Sequence, residues 1–233
     1  MFKNRLNNLK KENMKDIFIQ TENLALREIS MADVIRLEKI RLAINSNKSN
    51  RPYYDLKEAN DAPRFCYDAL NQQKQTPRQT IGLAMAEQKT PHDIIGFVIG
   101  ELTELKENWG GEVGLGDIGY FIHPEHQGKG YVTEAIRGFM GKFYFEKLNY
   151  PYLSATVHPK NPPSIRVLES VGFKVYGEIT KYGEPRLLLK VSKESFLYCS
   201  KDTFSKRAIL FITYSPFSMF NKVKISFNSF SSL

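Results

Sequence analysis

Residues 117–136 read Asp-Ile-Gly-Tyr-Phe-Ile-His-Pro-Glu-His-Gln-Gly-Lys-Gly-Tyr-Val-Thr-Glu-Ala-Ile, and this stretch decides the fold. Its first part, 117–123, is a short apolar run of the kind that forms a buried strand, and Pro124 stops it because proline cannot donate to a strand ladder. Its last part opens a helix, in which Ile136, Phe139, Met140, Phe143 and Leu148 recur at helical spacing. Between them lies Gln127-Gly128-Lys129-Gly130-Tyr131. Two glycines let main chain approach a ligand closely, and the first N–H groups of a helix have no partner within it. Those groups and the helix dipole favour an anion at one spot, to which Lys129 adds a mobile positive charge. The same residues also suit a plain glycine turn between strand and helix, and the segment alone does not separate the two readings. It is not a GxxxxGK[ST] loop, and Thr133 stands where a dinucleotide fingerprint has its third glycine.

A second segment, Asn161-Pro162-Pro163-Ser164-Ile165-Arg166-Val167-Leu168-Glu169-Ser170-Val171-Gly172-Phe173, begins 34 residues after Gln127. Asn161 is a helix-capping type, Pro162 suits the first helical position, and Gly172 suits the stop. The order is thus strand, glycine loop, helix, strand (151–158), capped helix, and Gly-Phe into another strand. Upstream, 16–29 predicts a strand with a turn near Thr21–Asn23, and Ser30 predicts the N-cap of a helix whose Val34, Leu37, Ile40 and Ile44 form one stripe. Residues 55–72 predict a second helix interrupted near Pro63, 80–87 and 93–104 two strands, 105–116 a glycine-rich loop, and 173–179 and 185–192 the last strands.

The chain of 233 residues carries a formal charge of +8, but its location matters more than its size. Residues 1–13 hold +3 and residues 196–233 hold +4, so the body between them is close to neutral. A nucleic-acid surface expects a basic stripe on the folded domain, so specific nucleic-acid binding is not expected. Residues 196–233 also hold seven of the sixteen Phe and eight Ser without periodicity, which predicts a poorly ordered tail. The expected organisation is a basic extension at 1–13, one folded domain at 14–195 and a basic tail at 196–233. Cys66 and Cys199 have no metal or redox spacing and read as reduced thiols in a cytoplasmic protein. Pro124 lies between His123 and His126 and no third ligand is near, so no metal site is expected. The N-terminus lacks an apolar core of the secretory type, and 208–220, broken by Ser215, Pro216 and Ser218, is short of a membrane span.

HPEHQGKGYVTEAI (123–136) and NPPSIRVLESVGF (161–173) together resemble the two signatures of the GNAT acetyltransferase superfamily. TENLALREISMAD (21–33) and DIGYFIHP (117–124) resemble, more narrowly, its ribosomal-protein-alanine N-acetyltransferase branch. The resemblance spans roughly 16–195. It implies a single α/β domain with a mixed, mostly antiparallel central sheet, splayed at a cofactor cleft and with helices on both faces. Acetyl-CoA is the implied co-substrate, with no metal. Its pantetheine would bond the main chain of Phe121, Ile122 and His123. Its pyrophosphate would lie in the loop that Gln127 opens, on the amides of Gly128, Lys129, Gly130 and Tyr131. Asn161 would bond the pantetheine arm, and Ser164, beside the sulfur, would protonate the departing thiolate or else simply cap its helix. Asp117 and Glu184 are the two candidates for the base, and Tyr120 and Tyr182 line the acceptor pocket or pack in the core. The loop departs from the family pattern at Val132, where Gly or Ala is usual and where a larger side chain would crowd the phosphates. The implied acceptor is a primary amine, first a protein N-terminal α-amine. The alternatives are a small amine such as a polyamine, amino acid or aminoglycoside, and an acyl-CoA-binding module without turnover.

Overall fold

The computed structural model describes residues 18–46, 70–71, 74, 80–101, 115–147, 150–181 and 183–204. Eight strands form one sheet: β1 (Phe18–Gln20), β2 (Leu24–Glu28), β3 (Thr80–Glu87), β4 (Ile94–Glu101), β5 (Leu115–Ile122), β6 (Tyr152–Val157), β7 (Lys174–Lys181) and β8 (Glu184–Ser192). Their order is β1-β2-β3-β4-β5-β6-β8-β7. Every junction is antiparallel except β5–β6, which is parallel. The helices are α1 (Met31–Ser46), α2 (Tyr131–Phe139), α3 (Pro162–Ser170) and α4 (Lys193–Phe204), with a π-helical segment, Met140–Lys147, extending α2.

Alternation along the strands builds two cores. On one face Ile29, Ala84, Phe97, Ile99 and Phe121 meet Val34, Leu37, Ile40 and Ile44 of α1, so the expected stripe is the buried one. On the other face Leu26, Leu83, Met85, Val98, Ile118 and Ile122 meet α2, α3 and the π-helical segment. That segment departs from the α-helical stripe for a packing reason. Phe143, Tyr144 and Phe145 are consecutive and all essentially buried, and a regular α-helix turns one of three neighbours away from the sheet. Gly100 on β4 accommodates them, since a Cβ there would collide with Tyr144 and Phe139.

Helix α1 begins directly after Ser30, as expected, but the cap is made by a different side chain. Ser30 does not cap with its hydroxyl; Asp33 reaches back instead. The Ser30 amide donates to Asp33 Oδ2 at 2.7 Å and its hydroxyl donates to the same oxygen at 2.8 Å. Arg27 completes a two-pronged pair with both carboxylate oxygens at 2.7 and 2.8 Å. Burial alone pushes the Asp33 carboxyl up, but the Arg27 hydrogen bonds and charge and the two Ser30 donors outweigh it and hold it below the usual range.

Helix α4 crosses the boundary expected at residue 195. Phe196 is buried, its ring 4.9 Å from that of Phe145, because the apolar core under the π-helical segment needs a lid at that edge. Residues 1–13, the second helix expected at 55–72 apart from Leu70 and Asn71, the 105–116 loop up to Gly114, and 205–233 lie outside the described residues. Among the described residues no helix is long and apolar enough to cross a membrane.

Candidate active site

The parallel junction makes the site. β5 and β6 pair with each other only at Leu115 with Leu153 and Asp117 with Ser154, and beyond that the two strands are no longer joined to one another. The direction of the free edge follows from the ladder on the other side. The His123 amide donates to Ile95 O at 2.8 Å, and bonded positions alternate in an antiparallel pair. Phe121 and His123 therefore address β4, while Tyr120 and Ile122 turn their main-chain groups into the cleft. The His123 carbonyl is also used, accepting from His126 N at 2.9 Å. Gln127 Nε2 donates to Ile122 O at 3.4 Å, which ties the loop to the cleft wall.

Pro124–His126 forms a single 3₁₀ turn, and His123 caps it by accepting from the Glu125 amide at 3.3 Å. The glycines follow. Gly128 and Gly130 have φ of 75° and 80°, where side chains are disfavoured, and a Cβ on either would meet nothing within 4 Å. Gly130 starts α2 with no side-chain cap, and the first bond across that start is Glu134 N to Gly130 O at 3.0 Å. The amides of Tyr131, Val132 and Thr133 thus have no acceptor inside the helix, just after two glycines at which a side chain would meet nothing. The Val132 side chain packs against the core instead of crowding the loop. Lys129 is exposed, with Nζ 5.9 Å from the centre of the Tyr131 ring.

Helix α3 makes the opposite choice. Pro162 and Pro163 carry no N–H, the Ser164 amide donates to Asn161 Oδ1 at 3.2 Å, and the Ile165 amide donates to Asn161 O at 3.1 Å. No donor is left there for an anion. Because Asn161 is the cap, the Ser164 hydroxyl is spared that role and has no hydrogen-bond partner among the described residues. Tyr120 bridges the cleft from β5, its hydroxyl donating to Ser164 O at 3.3 Å.

Residues 23–174 match the family model described as Acetyltransferase (GNAT) domain, about two thirds of the chain. The chain belongs to the GNAT acetyltransferase family. An uncharacterized N-acetyltransferase, p20, from Bacillus licheniformis is 28% identical over 166 residues, 70% of this chain and 86% of its own length. Two solved structures share the GNAT fold. The ribosomal-protein-S5-alanine acetyltransferase of Vibrio fischeri matches with a TM-score of 0.58 at 20% identity, covering 78% of this chain and 99% of that one. The aminoglycoside acetyltransferase AAC(6')-Ib, in complex with coenzyme A and kanamycin, matches with 0.56 at 16% identity, covering 75% and 98%. The fold is thus common to GNAT enzymes with protein and with small-molecule acceptors.

Within this GNAT frame the two candidate bases lie apart. Asp117 is level with Ser154, where the strands begin to separate. Glu184 is exposed at the β7–β8 hairpin; Ser154 pairs with Lys190, six residues along β8 from Glu184. At about 3.3 Å per residue that sets the two positions roughly 20 Å apart along the strand. Tyr182 lies outside the described residues. Among the described residues no group of three or more His, Cys, Asp or Glu could hold a metal.

The sequence reading missed the braces of the phosphate loop. Glu134, in the first turn of α2, accepts from the Thr21 hydroxyl, from Asn23 N at 2.7 Å and from Asn23 Nδ2 at 2.9 Å. Glu87, at the end of β3, sits 3.1 Å from His126 Nδ1, and the His126 ring stacks on Tyr131 with centroids 6.4 Å apart. Burial raises the Tyr131 phenol above its ordinary value, with the Glu87 and Glu134 carboxylates adding to the shift. The single local hint was Glu134 near a helix start, where the dipole favours an acid.

Proposed function

We propose that the protein transfers the acetyl group of acetyl-CoA to a primary amine, with a protein N-terminal α-amine as first acceptor. The observation that carries this reading is the contrast between the two helices that start at the cleft. α2 offers unpartnered amides beside two open glycines, and α3 offers none. A chain that keeps its anion site at one end of a splayed strand edge is suited to a long ligand with a charged and a reacting end. The resemblance of residues 21–33 and 117–124 to the ribosomal-protein-alanine branch supports the choice of acceptor.

Acetyl-CoA supplies an activated acetyl group, a thioester whose carbonyl carbon an amine can attack. The chain's own residues do the rest. The loop from Gly128 through Tyr131 holds the pyrophosphate on its amides, with the Lys129 side chain nearby; the Gln127 amide is taken by Pro124 O. The pantetheine contact expected over Phe121–His123 narrows to Ile122, with Tyr120, because the His123 amide and carbonyl are already used. The Ile122 amide, directed into the cleft, stabilises charge that develops on the carbonyl oxygen. An ammonium has no lone pair, so Asp117 takes one of its protons; the Ser164 hydroxyl delivers a proton to the departing sulfur. Asn161 holds the helix that carries Ser164 and keeps Nδ2 for the pantetheine arm. Glu184 then belongs to the outer end of the cleft.

The test is release of CoA thiol by the full chain with an alanyl peptide, spermidine, free amino acids and kanamycin, beside calorimetry of acetyl-CoA alone. Release with the peptide supports the first acceptor, and release with only a small amine moves the reading to that class. Tight binding with no release against any of them identifies a module without turnover and overturns the proposal.

A further inference from the structure

Three carboxylates flank the phosphate loop. Glu87 ends β3, Glu125 lies in the 3₁₀ turn before the loop, and Glu134 lies in the first turn of α2 after it. Within 127–130 the sequence supplies one cation, Lys129. The three acids are not equivalent. The Glu125 side chain is 83% exposed, so water and salt screen it. Glu134 is answered by the donors of Thr21 and Asn23. Glu87 is more shielded, at 29%, and its partner is His126, 24% exposed, with Nδ1 at 3.1 Å from Oε1. The Tyr131 phenol also hydrogen-bonds the Glu87 carboxylate. His126 directly precedes the loop, Tyr131 directly follows it, and their rings stack at 28°. Both flanks of a loop whose glycines carry no side chain to hold it are thus tied to one residue, itself paired with Leu24 in the sheet.

Hydrogen-bond chemistry decides which histidine here is able to gain charge. A carboxylate only accepts, so His126 Nδ1 carries the hydrogen towards Glu87. Its Nε2 has no hydrogen-bond partner among the described residues and takes a second proton without breaking a contact. His123, with its ring centre 6.1 Å from that of His126, is arranged the other way. Its Nδ1 accepts from the Glu125 amide at 3.3 Å, and a second proton there would break the cap of the turn. A histidine side chain ordinarily changes charge between about pH 5 and 8. An imidazolium at His126 offsets Glu87 at the edge of the anion site, whereas a neutral ring leaves that negative charge beside the pyrophosphate.

We propose that Glu87 positions His126 to meet the acetyl-CoA pyrophosphate as an imidazolium, so that seating the cofactor takes up a proton from solvent at His126 Nε2. The inference rests on the placement of the pyrophosphate on residues 128–131. The sign follows from charge. An anion favours the protonated ring, so affinity for acetyl-CoA falls as pH rises through the titration of His126.

The experiment is calorimetry of acetyl-CoA binding by the wild type and His126→Asn from about pH 6 to about pH 8.5. Paired buffers of different ionisation enthalpy give the protons taken up per cofactor bound. The 3′-phosphate of acetyl-CoA titrates near pH 6 itself, so the readout is the difference between the two proteins at one pH. The wild type is expected to take up a fraction of a proton more than His126→Asn, and its affinity to fall about threefold or more further across the range. A second arm follows the His126 ring by NMR. Its titration should move to higher pH when acetyl-CoA binds, and to lower pH in free Glu87→Gln. A cluster that merely props the loop would weaken binding in His126→Asn by one factor at every pH, with equal proton counts; that result overturns the inference and leaves the cofactor site in place. An unmoved titration in Glu87→Gln overturns Glu87 as the positioning residue. A wild type that does not bind acetyl-CoA overturns the placement of the pyrophosphate and this inference with it.

Discussion

Gly130 allows the phosphate loop to be tested by charge alone. It sits at φ 80°, with nothing within 4 Å of where a Cβ would stand, so substitution there carries a backbone cost and a ligand cost that can be separated. A left-handed backbone costs an ordinary side chain about 1–2 kcal/mol, and Asn and Asp tolerate it best. Asn and Asp are also nearly equal in size. The difference between Gly130→Asn and Gly130→Asp therefore isolates one negative charge against the pyrophosphate. Two unit charges about 5 Å apart interact by about 0.8 kcal/mol in water and by about 3 kcal/mol at an effective dielectric constant of 20. Gly130 is exposed, which argues for the lower end, but a seated pyrophosphate displaces part of the water. Calorimetry at low salt should show the Asp variant binding acetyl-CoA about fourfold to about 140-fold more weakly than the Asn variant, with the gap narrowing as salt is added. Thermal melts should place the two variants together, both somewhat below the wild type. Equal acetyl-CoA affinity for Asn and Asp at low salt would refute the placement of the pyrophosphate on this loop, whatever the melts show.

Other parts of the structure make separate claims. Ser164→Ala should lower kcat about tenfold or more without moving the melting temperature, whereas Asn161→Ala, which removes the cap, should cost about 1 kcal/mol of stability; an unchanged kcat in Ser164→Ala removes that hydroxyl from the reaction. Glu134→Ala strips the acceptor from Thr21 and Asn23 and should cost about 2 kcal/mol in urea unfolding, since Thr21 is buried; a change below about 0.5 kcal/mol would mean the brace is not rigid. Phe196→Ala should cost about 3–5 kcal/mol, and truncation after Ser195 should lower the melting point at least as far; a truncated chain that melts like the full one would detach α4 from the fold. The lowered Asp33 carboxyl contributes stability that is fully present above the unfolded value, about 3.9, and is lost as pH falls through the folded value. Asp33→Asn should flatten the acid limb of the stability profile, and an identical acid limb in both proteins would deny Asp33 that role.

What could be read from the amino-acid sequence was what is local. Asn161 and Pro162 mark a helix start because a cap and a first-turn proline act within three residues, and α3 begins there. Val34, Leu37, Ile40 and Ile44 mark a buried stripe because helical spacing puts them on one face. Ser30 shows where this stops. Its residue type announces a cap, but Arg27 and Asp33 form a two-pronged pair nearby, and the carboxylate takes the serine's donors instead. The π-helical segment escaped for a similar reason. The spacing of Phe139, Met140 and Phe143 fits an α-helix, and only contact with a sheet notched by Gly100 rewards burying Tyr144 and Phe145 as well. Glu134 and Thr21 are 113 residues apart, and no pattern within either segment pairs them.

The cleft is polarised by what each helix does with its first three amides. A helix start attracts anions by default, so a fold with two of them beside one cleft would offer two competing phosphate sites. Prolines at 162 and 163 delete two donors and Asn161 occupies the third, which closes α3 to anions while leaving its dipole directed at the cleft. That remaining dipole favours negative charge without binding a phosphate, which suits the place where a thiolate departs. Replacing both prolines by alanine would restore two donors without adding any side-chain charge. The double variant should acquire a weak second site for free pyrophosphate and lose little acetyl-CoA affinity, because α2 is untouched. If pyrophosphate binding instead stays confined to the Gly128–Tyr131 loop, the prolines serve only helix initiation, and the polarity of the cleft has to be explained by α2 alone.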